Sequence, residues 1–148
     1  MANLSIFEVI ERLSQNLPLD PAKVAEILNT RLERDSAGDS PVLTSYGLPP
    51  GFKDSRYQTV ELRIPHPLFG TGGGLLNVVL QGDEGLDSGA IFQHFGLDFQ
   101  RDVPSPRYPP GLPVYYNYEL PWGTLSLGTT NDDAAKLGSF IMKPKKPE

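Results

Sequence analysis

The feature that most constrains this chain is a single change of hydrophobic period. Up to residue 34, apolar residues recur at helical spacing. From residue 57 they alternate, except in one short run over 90–95. A period near 3.6 buries one stripe of a helix, and a period of two buries one face of a strand. Helices are therefore expected first, followed by a sheet with only a short helical interruption.

In the N-terminal part, Ile6, Val9, Ile10, Leu13 and Leu17 form one stripe, widened by Phe7. Ser5 and Glu8 have the spacing of a capping box at its start. Pro18 stops this helix, and Asp20-Pro21 supplies an N-cap and a first-turn proline for the next. Val24, Ile27, Leu28 and Leu32 continue the period, with Arg31 and Arg34 at the negative end of the second helix dipole. Residues 1–34 thus read as a helical hairpin. Residues 35–56 show no period and are rich in Gly, Ser, Asp and Pro, which predicts a connecting loop.

Residues 57–65 place Val60, Leu62 and Ile64 on one side and Thr59, Glu61 and Arg63 on the other. Residues 75–81 place Leu76, Val78 and Leu80 opposite Asn77, Val79 and Gln81. An acidic turn follows, then a short helix over 87–95, capped by Asp87 or Ser88 and ended by Gly96. Residues 97–113 read as irregular, with five prolines in 104–113. Residues 114–120 and 124–128 form a hairpin about Pro121-Trp122-Gly123, and 137–143 form a last strand. Hairpin-linked strands without regular crossovers predict one α+β domain over 1–148. Its antiparallel sheet has about five strands, with the helices on one face and the other face open. The covered face is expected to carry Val60, Leu62, Leu76, Val78, Leu80, Tyr116, Tyr118, Leu125 and Leu127. The open face is expected to carry Glu61, Arg63, Asn77, Gln81, Tyr115, Asn117, Glu119, Thr124 and Ser126. Residues 144–148 form a tail.

Composition narrows the chemistry. The chain has no Cys, which excludes disulfides, thiolate catalysis and Cys-ligated metal centres. Its 13 Lys+Arg against 18 Asp+Glu leave a net charge of -5. That argues against nucleic-acid binding through the phosphate backbone. Its 15 Gly and 15 Pro lie mostly at 38–51, 65–74 and 104–113, and they mark long connections. The N-terminal residues lack the basic and apolar regions of a secretion signal, and no run reaches the length of a membrane span. A cytoplasmic protein with no membrane association is expected.

Candidate motifs mostly dissolve on inspection. The glycines at 70, 72, 73 and 74 precede a strand rather than Lys-Ser/Thr and a helix, so they read as a strand connection and not as a phosphate loop. His66 and His94 lie 28 residues apart, with no ligand spacing around them. Asp83, Glu84 and Asp87 lack the spacing of a calcium loop and read as an acidic edge for a basic partner. Tyr115 adds an aromatic to the open face, of the type favoured at interface hot spots.

The sequence over residues 86–144 runs from a capped helix ending at Phe95-Gly96, through a proline-rich excursion, to Tyr116-x-Tyr118, the Gly123 turn, Leu125-x-Leu127 and a final strand. This pattern resembles the small α+β units of BLIP-like and cystatin-like proteins and of bacterial immunity proteins. The resemblance implies a non-catalytic inhibitor, without cofactor or metal, that occludes a basic toxin or effector protein. The expected contacts are Glu61, Asp83, Glu84, Asp87, Tyr115 and Glu119. Two other readings stand beside it. One is a small-molecule-binding or catalytic domain with a pocket between sheet and helices, using His94 or His66 with an acid. The other is an adaptor subunit of a secretion system.

Overall fold

The computed structural model describes residues 4–35, 43–65, 74–82, 84–102, 112–130 and 134–145. Three helices and eight strands follow in the order α1 (Ile6–Ser14), α2 (Pro21–Leu28), β1 (Glu33–Arg34), β2 (Leu43–Gly47), β3 (Tyr57–Pro65), β4 (Leu75–Leu80), α3 (Ser88–Phe95), β5 (Gln100–Asp102), β6 (Val114–Leu120), β7 (Gly123–Thr129) and β8 (Leu137–Pro144). The strands form one antiparallel sheet in the order β1-β2-β3-β4-β8-β7-β6-β5. Two four-stranded meanders thus meet in the middle, where β4 pairs with the C-terminal strand β8. The chain crosses from β4 to the far edge through α3.

The α+β class and the antiparallel sheet agree with the sequence reading; the strand number does not. There are eight strands rather than about five. β2 lies inside the stretch read as a loop over 35–56, and β5 lies inside 97–113. Both are short, and β5 carries no apolar residue, so neither leaves a period to detect. Both N-terminal helices are also shorter than their apolar spacing suggests: α1 ends at Ser14, so Leu17 lies beyond it and Pro18 is not what stops it. Asn29 takes a left-handed conformation at φ 56° and ends α2. Leu32 therefore lies beyond the helix, and Arg34 belongs to β1 instead of the helix C-terminus.

The helix starts follow from local chemistry. Ser5 and Glu8 make the reciprocal capping box of α1, Asp20 caps α2 ahead of Pro21, and the Asp87 carboxylate accepts from Ala90 N–H at the start of α3. α1 buries Ile6, Phe7, Val9, Ile10 and Leu13 against the sheet. The cross-strand register sets Leu62, Leu76, Met142, Leu125 and Tyr118 in one buried row. Val60, Val78, Phe140, Leu127 and Tyr116 form the next. Each such side chain stabilises the fold by roughly 1.5–3 kcal/mol on leaving water. All nine residues expected on the covered face are buried there.

α3 rests on an aromatic cluster. Phe92 stacks on Phe99 and meets Tyr116 edge-on, while Phe95 meets Phe7 of α1 edge-on. Tyr118 donates from its hydroxyl to the Gly96 carbonyl at 2.9 Å. The β6–β7 hairpin closes at Gly123, whose φ of 151° and close approach to the Lys143 carbonyl leave no room for a Cβ.

Candidate docking surface

The register defines the second face of the sheet as a grid. One row runs Glu61, Asn77, Ile141, Ser126 and Asn117 across β3, β4, β8, β7 and β6. Asn117 continues to Gln100 on the edge strand β5. The next row runs Val79, Ser139, Gly128, Tyr115 and Asp102. On the other side, Arg63 pairs with Leu75, Lys143 with Thr124, and Thr124 in turn with Glu119. Among the described residues, no helix packs on this face.

Charge on the grid is confined to its margin. Leu75, Asn77, Val79, Ser139, Ile141, Thr124, Ser126, Gly128, Tyr115 and Asn117 are uncharged and adjoin one another across β4, β8, β7 and β6. Glu61 and Arg63 on β3, Asp102 on β5, and Lys143 with Glu119 at the hairpin end surround them. Ser126 and Ser139 are buried between their neighbours, whereas Val79, Ile141, Tyr115 and Asn117 are half-buried. Small side chains keep the centre low. A Cβ at Gly128 would meet Ser139 Oγ and the Tyr115 ring, so the tyrosine covers a position that only glycine fits. Ser126 donates its hydroxyl hydrogen to Asn117 Oδ1.

The six expected contacts do not form one cluster. Glu61, Tyr115 and Glu119 share the open face. Glu61 and Tyr115 are separated by β4, β8 and β7, a distance of about 19 Å at the ordinary strand spacing. Glu61 pairs with Arg63 on its own strand, and Glu119 accepts from the Thr124 hydroxyl at 3.0 Å. Asp87 caps α3. Glu84 takes both Nε and Nη2 of Arg56 at 2.8 Å. Asp83 lies outside the described residues, as do His66 and the glycines at 70, 72 and 73. The acidic turn therefore spends two of its three carboxylates on local contacts.

Arg56 was not singled out from sequence, because an isolated Arg at a strand entry carries no periodic signal. Its guanidinium also donates to the Leu4 carbonyl and lies over the Tyr57 ring at 5.9 Å. The hydrogen bonds it donates to Glu84 hold the guanidinium pKa above its usual value, against the opposing effect of burial. Burial pushes the Tyr57 phenol up to about 12, partly offset by the Arg56 charge. For Asp54, burial works to raise the carboxyl pKa. The Thr30 hydroxyl at 2.6 Å, the Arg56 and Tyr57 N–H groups and the Arg56 charge outweigh it, and the pKa falls below the ordinary carboxylate value.

A cavity of about 540 Å³ opens at this corner, lined by Leu4, Ser5, Glu8, Ser55, Arg56 and Glu84 among others. It adjoins the start of α1, and His94 is not among its lining residues. His94 instead lies between the Phe7 and Phe95 rings, with Nε2 at 2.7 Å from Glu11 on α1. Among the described residues, no three His, Asp or Glu side chains converge as metal ligands would. No helix among them is long and apolar enough to cross a membrane. Compared with known proteins, the chain matches no protein-family model, no curated protein and no solved structure.

Proposed function

We propose that this chain is a non-catalytic protein-binding domain that docks its partner on the open sheet face. At finer grain, we propose an immunity- or antitoxin-type inhibitor that covers the working surface of a toxin or effector. The observation that carries this reading is the uncharged block at the centre of the face with charge confined to its margin. Protein interfaces share that arrangement: their cores are depleted in charge and their rims are polar. The block also combines Tyr, Ser, Asn, Gly and Thr. Such residues supply contact area and adaptable hydrogen bonds while losing little side-chain freedom on binding.

The mechanism is occlusion. The rigid sheet presents a preformed surface, so little ordering opposes association. The net charge of -5 steers the encounter with a basic partner. The test is coexpression with the product of the neighbouring gene, read as rescue of growth and as a complex by size. Asn117→Arg should abolish both, while Lys23→Glu on the exposed side of α2 should leave them intact. A complex unaffected by Asn117→Arg, or no complex at all, would sink the reading.

A further inference from the structure

We infer that the open face is closed by a second copy of this chain, in a two-fold dimer that pairs the sheets face to face. The inference rests on reading that face as a docking surface and names its resting occupant. Three observations support it. First, lateral association through the sheet edges is blunted. β1 is two residues long and β5 three, and both are exposed and charged. Second, the margin carries both signs, Glu61, Glu119 and Asp102 with Arg63 and Lys143. A rotated copy can therefore set opposite charges of the margin against each other.

Third, the register makes the face self-complementary. A two-fold axis parallel to the strands, between β8 and β7, centres the uncharged block. It sets β6 of one copy over β4 of the other and β7 over β8. Tyr115 then faces Val79, Gly128 faces Ser139, Ser126 faces Ile141, and the Asn117 amide faces that of Asn77. Glu119 falls opposite Leu75, offset along the sheet by one strand spacing of ~5 Å from Arg63 and from Lys143 of the copy, so that these long side chains meet across the ~10 Å between the sheets. Sheets packed face to face commonly align within about 30°, which this arrangement allows. The six strands from β3 to β5, taken as about five residues long, project on the order of 500 Å². That is less than the ~800 Å² per partner of a standard interface, which sets the expected dissociation constant in the micromolar range. A toxin-type partner then binds by displacing the copy.

The experiment is sedimentation equilibrium of the full chain across the micromolar range, with circular dichroism to verify folding of each variant. The expected mass is twice the 16.2 kDa of one chain. Ile141→Lys should raise the dimer dissociation constant by about 100-fold or more, because it seals an unpaired ammonium in the contact. Glu119→Lys and Lys143→Glu should each weaken the dimer, and mixing the two variants should restore it. In the mixed dimer both contacts again join opposite charges, a recovery that a folding defect cannot produce. A mass of 16.2 kDa throughout, a dimer that survives Ile141→Lys, or no recovery on mixing overturns the inference. The two readings also fail separately. A monomer that loses its partner on Asn117→Arg overturns the dimer alone. A face-to-face dimer that neutralises nothing overturns only the inhibitor.

Discussion

At the scale of single residues, ionisable groups in this chain hold the fold in place. Asp54 gathers the Thr30 hydroxyl and the N–H groups of Arg56 and Tyr57, tying the end of α2 to the entry of β3. Its carboxylate is favoured in the folded state, so its pKa there lies below the unfolded value of about 3.9. The stabilisation is present above that value and is lost as pH falls through the folded pKa. Asp54→Asn should therefore cost about 1–2 kcal/mol at neutral pH, after discount for partial exposure. The gap from the parent protein should close toward acid. Urea titrations at neutral pH and at a pH below both values check both parts. Nothing in the sequence marks Asp54, because its three partners come from two separate stretches of chain.

At the scale of elements, the helix starts were legible and the ends of α1 and α2 were not. Ser5, Asp20 and Asp87 all cap as their positions suggest, since capping is decided within four residues. α2 stops early because Asn29 turns left-handed, although Leu32 continues the apolar spacing. α3 depends more on its cap than α1 does, because it has one buried side chain, Ile91, against five on α1. Asp87→Ala should cost about 1 kcal/mol, lowering the thermal midpoint measured by circular dichroism. Amide exchange over α3 should quicken more than over α1. β2 and β5 were missed for the opposite reason. Their pairing is supplied by β3 and β6, and too few of their own side chains are buried to write an alternation.

At the scale of the whole molecule, the sheet order sets both stability and the open face. β4 and β8 pair in the middle, and β7 adjoins them, so their amides are shielded on both sides. β1 and β5 are edges. Native-state hydrogen exchange should be slowest across β4, β8 and β7 and fastest in β1 and β5. Equal protection across the sheet would contradict this order. The order also assembles the uncharged block, since Asn77 and Val79 come beside Ile141 and Ser139 only because the last strand inserts at the centre.

The sequence by itself determined the class of the fold, the helix starts and which face of each long strand is buried. Those properties depend on periodicity and on contacts a few residues apart. The open-face positions of Glu61, Asn77, Tyr115, Asn117 and Ser126 were readable in this way. Only the tertiary structure decided the strand order, the two edge strands and the pairing of Glu84 with Arg56. It also decided which polar residues adjoin. Strand order is a choice among long-range pairings, and alternation reports the face of a side chain without naming its neighbour across the ladder.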